Sequence, residues 1–169
     1  MDLLIVRHGV AEDKEAFAKT GKSDDERPLT DKGRKKMKRA SRGLCTLVPQ
    51  IGLLVASPLT RARETAAYIA GVYDIDVSEV AEVLRPDSSF DAFVEWLRPR
   101  ATKSPVCIVG HEPHLSGLAT WLMSGAKESR MELTKGGACL LTLDGAPKKG
   151  GATLSWLLTS KQLETLGEG

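Results

Sequence analysis

Leu3-Leu4-Ile5-Val6-Arg7-His8-Gly9 sets four consecutive apolar residues directly before a cation, an imidazole and a glycine. An apolar run of this length, with no polar alternation, suits a strand covered on both faces, as in a parallel sheet. Two later runs have the same form. Leu53 to Ala56 leads into Ser57-Pro58-Leu59-Thr60-Arg61, and Val106 to Val109 leads into Gly110-His111-Glu112. Ligand sites of open α/β sheets lie beyond the carboxyl ends of the strands. Three strands thus deliver Arg7, His8, Arg61 and His111 to one edge.

Between these runs the apolar spacing changes to that of helices. Gly33, Met37, Ala40, Leu44 and Leu47 step by four and three along one stripe, with Thr30 placed as N-cap. Ser57-Pro58 reads as an N-cap followed by proline at the first helical position, and Leu59, Ala62, Ala66, Ile69 and Tyr73 as the buried side. Phe90, Phe93, Val94 and Leu97, capped by Ser88 or Ser89, give a third stripe, and Leu115, Leu118, Ala119 and Leu122 a fourth. Val80 to Leu84 is a weaker fourth strand. Ala138 to Leu143 and Ala152 to Leu158 flank the turn-rich Asp144 to Gly151 and are expected to pair as a hairpin. The expected fold is α/β: a three-layer sandwich whose mostly parallel sheet carries helices on both faces. No repeat or Pro/Gly linker divides the chain, so residues 1–169 are expected to form one domain.

Composition narrows the function classes. The 169 residues are 41% apolar and 27% charged, ordinary globular values. A net charge of +2 gives no general case for nucleic acid or a membrane surface as partner. Cys45, Cys107 and Cys139 are odd in number and lack CxxC spacing, which fits a reducing, cytoplasmic setting. No stretch is long enough to span a bilayer, and Leu3 to Val6 is too short for a signal peptide.

Arginine and histidine at one edge suit a phosphoryl group. Arginine meets phosphate oxygens with a planar fork of donors, and phosphoryl transfer is mostly positioning and charge stabilisation. Two arginines and one imidazole would hold the group, leaving the second imidazole as nucleophile. With an ordinary pKa near 6.5, imidazole is largely uncharged at neutral pH. A backbone carbonyl accepting from its other nitrogen would fix the tautomer, and glycine beside His8 lets backbone come close.

These stretches resemble the signatures of the histidine phosphatase superfamily, which includes the phosphoglycerate mutases. Leu4 to Gly9 is similar to its first motif, Ser57 to Ala66 to its second, and Val109-Gly110-His111 to its third. The resemblance implies that His8 is the phosphorylated nucleophile, that Arg7, Arg61 and His111 complete the phosphate pocket, and that neither metal nor organic cofactor is used. Arg27-Pro28-Leu29-Thr30-Asp31-Lys32-Gly33 resembles the compact, SixA-like branch of phosphohistidine phosphatases, which implies a phosphohistidine-bearing protein as substrate. Larger members carry an acidic residue after the second-motif helix that protonates the leaving group. Here Glu12, Asp13, Glu82, Asp87 and Glu112 are candidates, and none stands out. An alkoxide needs such a proton, whereas a phosphorylated imidazole can take one from solvent and leave neutral. A phosphomonoesterase for small metabolites is the alternative, and a non-catalytic phosphoprotein-binding domain a second. Binding alone, however, would not require the nucleophile.

Other features have plainer readings. His111 and His114 are spaced like zinc ligands, but no third ligand is evident near them; His114 is read as a rim or supporting residue. The basic cluster of Lys32, Arg34, Lys35, Lys36, Lys38, Arg39 and Arg42 lies opposite its helix's apolar stripe and is read as a solvated face, with docking of an acidic protein the alternative. Trp96, Trp121 and Trp156 are read as packing residues.

Overall fold

Successive side chains of a strand leave opposite faces of a sheet, so an unbroken apolar run must be covered twice. The computed structural model, which describes residues 1–168, does this. Strands β1 (Asp2–Arg7), β2 (Leu53–Ala56), β3 (Glu79–Val80), β4 (Val106–Gly110), β5 (Ala138–Leu143) and β6 (Ala152–Leu158) form one sheet in the order β3-β2-β4-β1-β5-β6. Strands β3, β2, β4 and β1 run parallel; β5 pairs antiparallel with both β1 and β6. Leu4, Val6, Leu54, Ala56, Cys107 and Val109 pack on one face against helices α2 (Asp31–Leu47), α3 (Thr60–Tyr73) and α6 (Ser160–Leu166). Leu3, Ile5, Val55, Val106 and Ile108 pack on the other against α4 (Phe90–Leu97) and α5 (His114–Ser124). A short helix α1 (Lys14–Ala18) precedes α2. The architecture is the expected three-layer α/β sandwich.

Helix α2 begins as its sequence indicates. The Thr30 hydroxyl accepts from the Gly33 amide, and a Cβ on Gly33 would lie 2.1 Å from the Val10 carbonyl oxygen. Only glycine allows that approach, which packs the helix start onto the loop after β1.

Three local readings are corrected. Val80 to Leu84 is not one strand: β3 ends at Val80, half exposed, and Glu82–Leu84 forms a 3-10 turn that buries Leu84. Leu47 closes the α2 stripe in sequence but is exposed, because the helix ends there and Val48 takes the buried position. Ser57 is no helix cap: α3 starts at Thr60 behind Leu59, with no side-chain cap.

Strand order places the site. The ends of β2, β4 and β1 lie side by side, with Arg7 in register with Gly110 and Ala56 with Val109.

Candidate active site

His8 follows β1 and is fixed through its backbone on two sides. Its amide donates to the Gly110 carbonyl at 3.0 Å, and its carbonyl accepts from the Gly136 amide at 3.0 Å. Gly136 has φ +75°, a conformation that favours glycine. The His8 ring lies 2.7 Å from the Gly9 carbonyl through Nδ1. A carbonyl only accepts, so Nδ1 carries the proton and Nε2 keeps its lone pair. Gly9 is held in turn. Its amide donates to Thr65 Oγ1 at 3.0 Å, and that hydroxyl donates to the Arg61 carbonyl at 2.8 Å. Thr65 therefore ties the His8 loop to the first turn of α3.

Arg7, His8, Arg61 and His111 line one cavity of about 610 Å³. The His8 and His111 rings are 5.2 Å apart, centroid to centroid. Arg7 Nη1 donates to the Leu133 carbonyl at 2.8 Å. Arg61 is 5% exposed and donates through Nη1 to the Asp24 carbonyl (3.0 Å) and through Nη2 to Asp24 Oδ2 (3.3 Å). His111 Nε2 and Ser57 Oγ are 2.7 Å apart and share a hydrogen bond. All four residues singled out in the sequence are thus brought together.

The structure adds residues that the sequence did not flag. Ser57 supports His111. Arg27 lines the cavity, donating to Asp24 Oδ1 and to the Glu12 carbonyl, each at 2.9 Å. Asp24 accepts from both arginines; burial works against its ionisation, but the Arg27 hydrogen bond and the charges of Arg61 and Arg27 hold its carboxyl below the usual range. His114 lines a neighbouring cavity rather than that of His8. It is 5% exposed, with Nε2 against the Ser88 carbonyl at 3.1 Å.

The acid candidates separate. Glu82 is outside the cavity wall and pairs with Arg85, which also holds Asp25. Asp87 lines a neighbouring cavity. In the His8 cavity, Asp13 caps α1 through the Ala16 amide, and Glu112 accepts from the Ser116 amide at 2.8 Å and the Leu133 amide at 3.4 Å. Glu12 also lines that cavity, and among the described residues its carboxylate accepts no hydrogen bond. Among the described residues no group of three or more His, Cys, Asp or Glu is placed to hold a metal ion.

Residues 3–84 match the family model described as histidine phosphatase superfamily (branch 1), a span that includes Arg7, His8 and Arg61. An uncharacterized protein of Picosynechococcus sp. (strain ATCC 27264 / PCC 7002 / PR-6) is 33% identical over 139 residues, 81% of this chain and 82% of the relative. The chain belongs to the histidine phosphatase superfamily. That membership supports phosphatase activity on a phosphorylated substrate. Among solved structures, the fold is similar to that of the protein histidine phosphatase SixA complexed with tungstate, at TM-score 0.81 and 24% identity, covering 96% of this chain and 99% of that one. It is also similar to the α-ribazole phosphatase of Shigella flexneri, at TM-score 0.68 and 20% identity, covering 95% and 97%. Among the described residues no helix is long and apolar enough to cross a membrane.

Electrostatics of this histidine phosphatase site keep both imidazoles neutral. Burial is the largest cause at His8; the Gly9 hydrogen bond opposes it, the charges of Arg61, Arg7 and Arg27 reinforce it, and the result is a pKa of about 4. Burial first, then His8 and Arg61, lowers His111 to about 3. A pH profile of kcat/KM, corrected for ionisation of the substrate phosphate, is expected to stay flat from neutrality to about pH 5 and to fall only as His8 protonates. An acid limb near 6.5 would mean an unperturbed imidazole. Stability has the same sign. Both rings take up protons more readily unfolded, so their contribution is full above about pH 6.5 and is lost as pH falls from there through about 4 for His8 and about 3 for His111.

Proposed function

We propose that this protein is a metal-independent phosphohistidine phosphatase with His8 as nucleophile, built as one domain over residues 1–169. His8 Nε2 attacks phosphorus in line, a new P–N bond forms, and the P–N bond to the substrate imidazole breaks. The departing ring takes its proton from solvent and leaves neutral. Water then attacks the phosphorylated His8, returning Nε2 to its free state and releasing inorganic phosphate. Arg7 and Arg61, with Arg27 beside them, carry the charge on the phosphoryl oxygens, and His111 adds a further contact. The three unpaired cysteines fit a cytoplasmic setting.

One observation carries the substrate class. Asp13, Asp24 and Glu112, three of the carboxylates in the His8 cavity wall, are already engaged in hydrogen bonds, Asp13 to the Ala16 amide, Asp24 to Arg61 and Glu112 to the Ser116 amide. A leaving group that needs no positioned acid fits such a wall. The rival reading, a phosphomonoesterase, rests on Glu12, whose carboxylate accepts no hydrogen bond among the described residues and which lines the same wall.

The two readings separate in specificity constants for a phosphohistidine peptide and an alkyl phosphate. Changing Glu12, Asp13, Glu82, Asp87 and Glu112 in turn to the amide is expected to leave phosphohistidine hydrolysis within about tenfold, because a true general acid contributes roughly 10²–10⁴-fold. The alkyl ester should be slow with the unmodified protein. Should Glu12→Gln abolish both activities, or the alkyl ester be the faster substrate, the phosphomonoesterase reading replaces this one. Loss of activity on adding a chelator, restored by zinc, would end the metal-free claim.

A further inference from the structure

The His8 cavity is not isolated. Its wall residues Pro86 and Glu112 also line a second cavity of about 630 Å³. Ser88, Phe90 and Lys127 in turn are shared between that second cavity and a third of about 240 Å³ that reaches Trp121. Together they make one trough from the nucleophile across the start of α4. It is larger than a phosphoryl group with a small leaving group would fill, and its chemistry changes along its length. Around His8 stand Arg7, Arg27 and Arg61. The second cavity has apolar walls in Phe90, Pro113 and Met131, and its carboxylates Asp87 and Glu112 outnumber its one cation, Lys127. His114 stands in that wall, 5% exposed, with Nε2 committed to Ser88 and Nδ1 unpartnered.

We infer that the second cavity is the leaving-group side of the active site, taking the polypeptide around a phosphohistidine and preferring a basic flank to an acidic one. This rests on the phosphohistidine reading for the identity of the substrate, although the charge preference stands on the cavity alone. An anionic phosphoryl group enters among arginines, and the chain beyond it lies on Phe90 and Met131, where Asp87 attracts a cationic side chain. An acidic metabolite would meet repulsion from Asp87 and Glu112 at that position. Because the three cavities adjoin through shared wall residues, an extended polypeptide uses more of the trough than a compact metabolite does.

The test reads ratios of kcat/KM, each normalised to phenyl phosphate. One pair consists of phosphohistidine peptides differing in a flanking Lys or Glu; the other is an aryl phosphate carrying an aminomethyl or a carboxylate group. The cationic member of each pair is expected to be favoured by about fivefold, the scale of one partly exposed charge pair. Asp87→Lys should lower that ratio below one, and Lys127→Glu should raise it. Opposite shifts from two variants on one wall cannot come from general loss of structure. A ratio near one in the unmodified protein, or shifts of the same sign in both variants, would overturn the subsite. If only the aryl pair is turned over and shows the expected ratios, the subsite stands and the phosphohistidine reading falls.

Discussion

Arg61→Ala is expected to cut turnover on the order of 10²-fold or more while the protein stays folded, the scale on which a lost electrostatic stabiliser acts. The guanidinium is 5% exposed in the wall of the His8 cavity, and Asp24 presets its plane by engaging both amino nitrogens. Its removal takes a fork of donors from a group whose charge must be held through transfer, and it leaves the Asp24 carboxylate facing the phosphoryl oxygens with one less cation. Arg61→Lys restores the charge but not the fork, so it should recover only part of the loss. Steady-state kinetics beside a circular dichroism spectrum check this. Wild-type turnover in a folded Arg61→Ala protein would remove Arg61 from the phosphate pocket.

Both the sheet and the meeting of Arg7, His8, Arg61 and His111 in one cavity were legible because each is written locally. Strands β2, β5 and β6 have the bounds that their apolar runs indicate, and Arg7, His8 and His111 directly follow or end such runs. What escaped reading depends on contacts distant in sequence. Ser57-Pro58 carries the local signal of a helix start, yet the Ser57 hydroxyl is taken by His111, 54 residues away. Asp24 and Arg27 sit in the polar stretch Ser23-Asp24-Asp25-Glu26-Arg27, which carries no local signal of a site. Only folding lays that stretch against Arg61 and makes it part of the cavity wall. Glu82 is the converse. Its position after the second-motif helix invited an acid's role, but Arg85 holds it outside the His8 cavity.

On the proposed mechanism, the supports of His8 also decide which imidazole takes the phosphate. The two rings lie 5.2 Å apart and both are neutral at physiological pH, so proximity and protonation do not choose between them. Hydrogen bonding does. The Gly9 carbonyl fixes the His8 proton on Nδ1 and leaves Nε2 as a lone-pair donor, whereas His111 Nε2 is occupied by Ser57. His8→Ala is therefore expected to lower turnover about 10⁴-fold or more, the scale of losing a covalent nucleophile, and to leave no phosphoenzyme. His111→Ala should be slower than wild type yet still become phosphorylated. Phosphoramidates survive alkali, so rapid quench at high pH followed by mass spectrometry can locate the group in each protein. Phosphate found on His8 in both the unmodified and the His111→Ala protein is the expected result. Phosphate on His111, or a His8→Ala protein that still turns over at wild-type rate, would transfer the nucleophile's role to the other ring.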